Sequence, residues 1–336
     1  MSDMPVFAAD ERPVLTCIVA SYNHARYLAR GIEACTRIPL QSKQIIVIDD
    51  GSKDDSVAVS RDTLARIGDR CDTNLISRTN HGLVSSLNHA LMQARGEFVF
   101  LIASDDLALP DGVAQLVAAL QSRPAAALAL GNAVAFRDDD ETETTISGYC
   151  TYGPSHDHFF ALPAQDRDEA LFLAYPNPLL IQATVFRRDA LARIGDFDET
   201  LVLDDYPLFI RLLRQHVRIG DDVLFLPKVL VSAYRQHAAN SHRNLPRQMD
   251  MEAKIMDRLC PPEIKAEALA RRYIHFALRS LRALRLKDGL AMISQAFRQG
   301  GSRATMALLR ETRGYASRNK ASVKLVTVAH PSRPHG

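Results

Sequence analysis

An apolar run of β-forming residues ends in two adjacent carboxylates, Asp105 and Asp106. The run, residues 98–103, is typical of a buried central strand, whose carboxyl end lies where open α/β folds place ligands. Paired acids at that edge favour Mg²⁺ or Mn²⁺, which prefer oxygen ligands and are commonly shared with the phosphates of a nucleotide. Alternatively, both acids only cap a helix predicted after Pro110. The pair alone leaves both interpretations open.

The elements that would position these acids alternate between strand and helix. Strands are predicted at residues 14–20, 44–48, 75–77 and 98–102, and helices at 25–35, 56–67 and 83–94. This alternation implies right-handed crossovers and a mainly parallel sheet. The first hundred residues therefore have the pattern of a nucleotide-binding half.

The second half has a less regular pattern. It predicts a helix at 111–122, a strand at 125–135, a strand at 179–186 and a helix at 206–215 that Asp204 and Asp205 open. Residues 138–165 are acidic and irregular, and we expect a mobile loop over the site. Beyond about residue 245 the pattern is helical and rich in arginine, with no strand signal until Val323.

Composition excludes several classes of protein. The chain has 336 residues, of which 47% are hydrophobic and 24% charged, which is ordinary for a soluble globular protein. Its five cysteines are widely spaced without a CxxC pair, which indicates a reducing cytoplasm and neither a disulfide framework nor a zinc site. No apolar stretch reaches the roughly 18 to 20 residues that a membrane-spanning helix needs.

Charge is divided between two regions. The net charge of +2 combines −10 for residues 1–240 with +12 for residues 241–336. A basic tail on an acidic domain suggests a surface for anionic lipid, a polyanionic acceptor or a partner protein; alternatively, the arginines are only solvated faces of ordinary helices. Apolar residues between 273 and 284 recur at helical spacing, so this helix packs on the domain, on a second subunit or on a membrane.

Eight short motifs follow one another along the chain. They are Ala20-Ser21-Tyr22-Asn23, Asp49-Asp50-Gly51-Ser52, Asn80-His81-Gly82-Leu83, Ala94-Arg95-Gly96-Glu97, Ser104-Asp105-Asp106, Gly195-Asp196-Phe197-Asp198-Glu199, Asp204-Asp205-Tyr206 and Tyr234-Arg235-Gln236-His237. Together they resemble the family 2 glycosyltransferases, inverting enzymes with the GT-A fold. The resemblance covers residues 13 to about 240.

The resemblance implies a nucleotide-sugar site at the ends of the first strands. Tyr22 would stack on the base, and Asp49 and Asp50 would accept hydrogen bonds from the base or ribose, although both acids could be turn formers only. Arg78 would approach the nucleotide or remain a surface charge. The resemblance also assigns Ala20, Ser104 and Asp105 to the nucleotide-sugar site.

The resemblance also implies a Mn²⁺ or Mg²⁺ cofactor. The first acid of the family's Asp-x-Asp pattern aligns with Ala103, so Asp105 becomes the principal ligand, with Asp106 beside it. His237 is similar to a downstream histidine that completes the metal or diphosphate site in many relatives. The cation would stabilise the charge of the departing nucleoside diphosphate.

An inverting transfer needs a general base near the acceptor hydroxyl. The family takes it from an acidic pair that opens a helix, here Asp204 and Asp205, and we expect Asp205 to be the base and Asp204 to orient the acceptor or cap the helix. The Gly195 loop resembles the acceptor loop, with Asp196 in place of a second glycine. This replacement puts close backbone approach to an acceptor in doubt.

These observations predict an α/β protein of the GT-A type with a helical C-terminal appendage. The expected parts are a disordered segment 1–12, a transferase domain 13–243 with a nucleotide half 13–110 and an acceptor half 111–243, and a basic helical region 244–336. The expected reaction is transfer from a nucleotide-sugar, with UDP favoured, to a hydroxyl of a carbohydrate or lipid-linked acceptor, as in cell-surface polysaccharide assembly.

The expected location is the cytoplasm, with residues 270–336 at the inner face of the plasma membrane. No nucleic-acid partner is expected, and the protein could form an oligomer. A degenerate transferase that binds nucleotide or glycan without turnover is the alternative, since Ala103 and Asp196 depart from the pattern. A sugar nucleotidyltransferase or a dehydrogenase is disfavoured because no glycine-rich loop follows the first strand.

Overall fold

The computed structural model describes residues 13–142, 144–174, 179–237, 244–318 and 325–331. Its first half alternates as the sequence predicts, with shifts of a few residues at the ends. The elements are β1 (Leu15–Ser21), α1 (Ala25–Thr36), β2 (Lys43–Asp49), α2 (Ser56–Ile67), β3 (Asp72–Ser77), α3 (Leu83–Leu91) and β4 (Phe98–Ala103). Strands β1, β2 and β4 are almost wholly buried because helices cover both faces of the parallel sheet.

The second half continues the same sheet. It contains β5 (Leu107–Ala108), α4 (Pro110–Gln121), β6 (Leu128–Phe136), β7 (Thr145–Cys150), α5 (Pro154–Ala161), α6 (Ala164–Leu173), β8 (Thr184–Arg187), α7 (Arg188–Arg193), α8 (Asp205–Gln215) and β9 (Val223–Arg235). Helix α4 lies very close to β9, since a Cβ at Gly112 would stand 1.8 Å from the Leu230 carbonyl oxygen. Only a glycine permits that approach.

The C-terminal region is mostly helical and returns to the sheet. It contains α9 (Leu245–Leu259), α10 (Pro262–Arg282), α11 (Leu286–Gly300), α12 (Ser302–Arg318) and a final strand, β10 (Leu325–Ala329). The main core includes Met256 of α9 and Ala268 and Leu269 of α10, so these helices pack on the α/β part of the chain that precedes them. The amphipathic pattern is confirmed for Ile274 and Ala277, which are fully buried, whereas Leu284 lies beyond the end of α10 and is 85% exposed.

One sheet joins the strands in the order β10-β7-β6-β8-β4-β1-β2-β3, and β9 pairs with β6 and with β5. The β1, β2, β3 and β4 pairings and the long β6–β9 pairing are parallel and account for most of the paired residues. The remaining pairs are antiparallel, as between β4 and β8. The predicted fold class, α/β with a mainly parallel sheet, is confirmed.

Two local predictions were wrong. Residues 138–165 do not form a loop: a short 3₁₀ turn over Asp138–Asp140 leads into β7 and α5, and the Phe159 and Phe160 side chains join the core. The segment 179–186 is a 3₁₀ turn over Ile181–Ala183 followed by β8 rather than one strand. In both segments tertiary packing overrides a weak local pattern.

Two further predictions concern membranes and the N-terminus. Among the helices of the described ranges, none combines the length and the apolarity that a bilayer span requires. The predicted segment 1–12 lies outside the described residues.

Candidate functional site

The acid pair lies at the carboxyl edge of the sheet, where β4 ends beside β1. Ser104 N donates to the Ala20 carbonyl oxygen over 2.9 Å, so the turn after β4 continues the β1 pairing. Asp105 is 7% exposed at this edge. Ala103, at the position of the missing acid, is exposed, so a side chain there faces solvent rather than the core.

Asp105 lies between two imidazoles. His237 Nε2 is 2.9 Å from Asp105 Oδ2, and His24 Nδ1 is 3.7 Å from Asp105 Oδ1. One ligand atom from each of the three side chains lies within 4.8 Å of the others. The structure thus brings together Asp105 and His237, as predicted, and adds His24.

His24 is held by the loops around it. Its backbone N donates to Ser56 Oγ over 3.0 Å, and its Nδ1 is 2.9 Å from Ser104 Oγ. The preceding Asn23 has a φ of 56°, and its Oδ1 accepts from Lys53 N over 2.8 Å. The loop after β1 is therefore fixed to the loop after β2, and it presents the imidazole to Asp105.

Asp106 is not part of the three-residue cluster. It is 1% exposed, and its Oδ1 accepts from the backbone N of Arg235 over 2.8 Å. Burial and the neighbouring Asp105 raise the pKa of Asp106 well above its usual range. Asp106 is therefore placed to support the turn that carries Asp105, and its predicted role as a metal ligand stays a prediction.

The Asp49–Asp50 pair makes hydrogen bonds to its own loops. Asp50 accepts from His81 N at 2.9 Å, Gly82 N at 2.8 Å and Ser86 Oγ at 2.7 Å, so it caps the start of α3. Asp49 accepts from the backbone N and the hydroxyl of Ser52. Both acids therefore make the contacts that the turn-forming alternative predicts.

The other predicted nucleotide residues differ in exposure. Tyr22 is 45% exposed at the end of β1, which leaves its ring available for stacking. Arg78 donates to the Ser85 carbonyl oxygen and hydroxyl, both at 3.3 Å, so α3 holds its guanidinium. Ala20 is partly buried and Ser104 is fully buried beside His24.

The Asp204–Asp205 pair opens α8: Asp204 precedes the helix and Asp205 is its first residue. Removal from water raises the pKa of both carboxyls, and for Asp205 the neighbouring Asp204 and then Glu252 raise it further. Asp205 Oδ1 accepts from Tyr206 N over 2.5 Å. A carboxylate with a raised pKa accepts a proton more readily than an ordinary aspartate.

Tyr234 is influenced by both the Asp105–Asp106 pair and the Asp204–Asp205 pair. Burial raises the pKa of its hydroxyl, and so do the charges of all four carboxylates, Asp105, Asp106, Asp204 and Asp205. Such an effect needs each carboxylate to lie within electrostatic range of the phenol. The Asp105–Asp106 pair and the Asp204–Asp205 pair are therefore both within electrostatic range of the same side chain.

The predicted acceptor loop is tied to two helices. Gly195 and Asp196 have positive φ values of 78° and 51°. Asn88 of α3 donates to the Phe197 carbonyl oxygen over 2.9 Å, and Arg211 of α8 donates to the Ile194 carbonyl oxygen over 2.9 Å. A glycine at 196 would suit this backbone, since aspartate adopts it at some cost.

With this geometry in view, comparison with known proteins identifies the family. The family model described as glycosyl transferase family 2 matches residues 16–194, more than half of the chain. The chain belongs to glycosyl transferase family 2. It is a glycosyltransferase.

Relatives of this family 2 glycosyltransferase include several enzymes of bacteria. An uncharacterized glycosyltransferase of Rickettsia typhi is 26% identical over 255 residues, covering 71% of this chain and 69% of the relative. AmsE of Erwinia amylovora, an amylovoran biosynthesis glycosyltransferase, is 24% identical over 220 residues, covering 65% and 75%. EpsE of Bacillus subtilis is 31% identical over 109 residues, covering 32% of this chain and 39% of EpsE.

Two solved structures share the fold. TarS residues 1–349 of S. aureus, in complex with UDP-GlcNAc, has a TM-score of 0.58 at 14% identity and covers 91% of this chain and 87% of that one. The mannosyltransferase PcManGT of Pyrobaculum calidifontis, in complex with GDP-Man and Mn²⁺, has a TM-score of 0.54 at 19% identity and covers 91% and 81%. The GT-A assignment of this glycosyltransferase is confirmed.

The site of this glycosyltransferase fits a divalent metal. His24, Asp105 and His237 supply two imidazole nitrogens and a carboxylate oxygen, a donor set that suits first-row divalent cations. His24 was missed from the sequence, although it follows directly on the Ala20-Ser21-Tyr22-Asn23 motif. The signal was its position after β1, the strand beside the acid-bearing β4.

Proposed function

We propose that this chain is a divalent-metal-dependent inverting glycosyltransferase that moves a sugar from a nucleotide-sugar to a hydroxyl of a carbohydrate or lipid-linked acceptor. The observation that carries the proposal is the presence of two groups of residues within electrostatic range of Tyr234. The His24, Asp105 and His237 side chains form one site, and Asp205 with its raised pKa forms the other. The charges of Asp105, Asp106, Asp204 and Asp205 all raise the pKa of Tyr234.

A UDP-sugar is the favoured donor. The TarS structure of this fold holds UDP-GlcNAc, and the PcManGT structure holds GDP-Man with Mn²⁺. These ligands belong to those proteins and support a nucleotide-sugar here. AmsE acts in amylovoran biosynthesis by its name, which supports a role in cell-surface polysaccharide assembly.

His24, Asp105 and His237 would hold Mn²⁺ or Mg²⁺. When bound, such a cation supplies charge stabilisation to a departing nucleoside diphosphate. Tyr22 is placed to stack on the base. Asp106 and Arg235 support the turn that carries Asp105.

Asp205 would act as the general base. The acceptor hydroxyl gives its proton to the Asp205 carboxylate as its oxygen attacks the anomeric carbon, and the nucleoside diphosphate leaves from the opposite face with the bonding electrons. The burial that raises the pKa of Asp205 makes it a stronger base, and Asp204 adds to this effect. Asp204 stands next to the base and would orient the acceptor.

The test measures binding and turnover separately. Calorimetric titration with UDP, with and without Mn²⁺, should show Mn²⁺-dependent binding that Asp105→Ala removes and that Asp111→Ala, on the exposed first turn of α4, retains. Asp205→Asn should bind UDP normally and lose transfer from UDP-sugars. Near-normal transfer by a folded Asp205→Asn protein would reject the proposed base.

A non-catalytic binding role is the second candidate. The exposed Ala103 at the end of β4 favours it, because the donor site lacks one of the family's acids there. UDP binding without turnover of any nucleotide-sugar, by hydrolysis or transfer, would support this candidate. Turnover that needs Asp205 would remove it.

We propose further that the C-terminal helices bind an anionic membrane surface from the cytoplasm. Leu286, Leu290 and Phe297 are 61%, 63% and 43% exposed. Their spacing of four and seven residues places them on one side of α11, apart from the buried Met292 and Ala296.

The sequence around this stripe is basic. Residues 279–310 contain seven lysines and arginines and one acid, Asp288. Like charges would oppose the docking of a second copy on this face, whereas anionic headgroups would attract it and the leucines would enter the interface.

A vesicle assay tests the membrane proposal. Binding to phosphatidylglycerol vesicles should fall about tenfold or more in the double variant Leu286→Gln, Leu290→Gln. The variant has two fewer apolar side chains to bury in the membrane. Met92→Gln is the matched control, since Met92 is 71% exposed on a different surface. Equal binding by the double variant and the control would contradict the proposal.

A further inference from the structure

A buried arginine lies behind the metal cluster. The Arg235 side chain is 2% exposed, and its Nε donates to the Asp105 backbone oxygen over 2.9 Å. Its backbone N donates to Asp106 Oδ1 over 2.8 Å. Arg235 therefore holds both members of the acid pair, one through its main chain and the other through its carboxylate.

The Tyr27 ring connects Arg235 with the imidazoles. The guanidinium lies 4.7 Å from the centre of this ring. The same ring stacks on His237 at 5.6 Å and meets His24 edge-on at 6.2 Å. A shift of Arg235 would therefore reach all three side chains of the metal cluster.

Two acids set the direction of the guanidinium. The Arg235 terminal nitrogen donates to Asp138 Oδ1 over 2.7 Å and to Glu141 Oε2 over 2.6 Å. Burial by itself would raise the pKa of Glu141, but hydrogen bonds from His330 and Arg235 lower it to about 2. Glu141 is therefore charged at neutral pH.

His330 reaches Glu141 from β10. Its Nε2 is 2.7 Å from Glu141 Oε1, and the residue is 4% exposed. The antiparallel pairing of Ala329 with Thr145 and the bond from His330 N to the Thr144 oxygen at 2.8 Å fix its place. His330, which follows β10 and lies more than 220 residues beyond the acid pair, thus completes the cluster behind that pair.

We propose that Arg235 and His330 are positioning residues for the metal site: β10 fixes Glu141 through His330, Glu141 fixes Arg235, and Arg235 fixes the turn that carries Asp105. The metal part of this proposal rests on the proposed function. The packing part does not, because it concerns only the protein's own hydrogen bonds. Supporting residues of this kind change metal affinity by about 10- to 100-fold when they are removed.

The experiment compares four variants of the full chain. His330→Ala removes the contact with Glu141, and His330→Gln can keep a donor in its place. Thr327→Ala removes only the exposed hydroxyl contact between β10 and Ser147, so it controls for strand docking. Glu141→Gln perturbs the cluster without changing β10 and serves if His330→Ala does not fold by circular dichroism.

Two readouts separate this proposal from the proposed function. Mn²⁺ affinity is measured by electron paramagnetic resonance in the presence of UDP, and hydrogen–deuterium exchange is measured on residues 103–109 without metal. We expect His330→Ala to weaken Mn²⁺ binding about tenfold and to speed exchange in 103–109, with partial rescue in His330→Gln and no change in Thr327→Ala.

Equal affinity and equal exchange in His330→Ala and Thr327→Ala would overturn the proposal. If the wild type binds no Mn²⁺, the proposed metal dependence fails by itself. Exchange still decides the positioning role in that case: faster exchange in His330→Ala than in Thr327→Ala supports it, and no difference rejects it.

Discussion

The turns after β2 and β4 each carry two adjacent aspartates, yet they use them differently. After β2, Asp50 accepts three hydrogen bonds from the start of α3, and Asp49 accepts two from Ser52. After β4, Asp105 is paired with His24 and His237. The first pair is held by its own loops, whereas the proposed function assigns Asp105 of the second pair to a ligand.

The difference lies in the donors that surround each turn. Gly51 and Gly82 have positive φ values of 79° and 88°, and the loops they shape turn backbone N–H groups toward the Asp49–Asp50 pair. A Cβ at Gly51 would stand 2.7 Å from Asn80 N, so the loop needs a glycine. In the β4 turn the Asp105 carboxylate meets the side-chain nitrogens of His24 and His237 instead, which can exchange a hydrogen bond for a metal. Sequence adjacency of two acids therefore does not decide their role.

The largest effect is expected at the Asp204–Asp205 pair, at the start of α8. Asp205→Asn should lower kcat by about 10²- to 10⁴-fold, because the amide cannot accept the acceptor's proton. UDP affinity should remain within a factor of about three, since the residue is outside the donor cluster. Steady-state transfer kinetics and calorimetry on the same protein measure both quantities. A parallel loss of UDP binding would move Asp205 from acceptor chemistry to the donor site.

The β4 turn offers a contrast within one pair. Asp105→Asn should weaken Mn²⁺ binding by about 10²-fold or more, since losing a ligand costs at least as much as losing a supporting residue. Asp106→Asn keeps an acceptor for Arg235 N and should stay within about tenfold of the wild type. Titration of Mn²⁺ in the presence of UDP measures both. Equal losses would mean that the two acids share the ion.

The β2 turn should respond in stability. Asp50→Ala should lower the free energy of unfolding by about 2 kcal/mol, because three donors at the start of α3 lose their partner. Urea denaturation measures the change, and Asp55→Ala, on an exposed carboxylate that makes no side-chain cap bond to α2, is the control. A protein of unchanged stability with weakened UDP binding would place Asp50 with the ligand-binding acids.

The smallest expected effect is a shift in pH dependence. Transfer needs the Asp205 carboxylate, so activity should rise with pH through the raised pKa of that group. Asp204→Asn removes a like charge and should move this rise to lower pH, while Glu252 still acts on Asp205. A kcat–pH profile of both proteins checks the direction. A shift to higher pH would assign the rise to another group.

The sequence predicted the parallel half well because three of its strands, β1, β2 and β4, are almost wholly buried. Continuous apolar runs such as 45–48 need no knowledge of their neighbours. Strand β9 was not predicted, because Pro227 and Lys228 interrupt its pattern and it pairs with β6 across a register shift. Its place is set by β6 and β5, which a local pattern does not contain.

The candidate site also contains residues that the sequence predicted and residues that it did not. Asp105, His237 and Asp205 belong to motifs that the resemblance carries, and the structure brings Asp105 and His237 together. His24 carries no periodic signal, and its position depends on β1 lying beside β4. The Glu141 and His330 contact joins residues 189 apart, so only the folded sheet brings them together.

His24 and Ser104 are 80 residues apart in the chain, and Asp105 and His237 are 132 apart. An ion held by His24, Asp105 and His237 would therefore act as a removable cross-link between three distant parts of the polypeptide. By mass action, binding only to the folded form shifts unfolding to higher temperature as the free ion concentration rises. Growth conditions that deplete manganese would then affect the lifetime of this protein as well as its turnover.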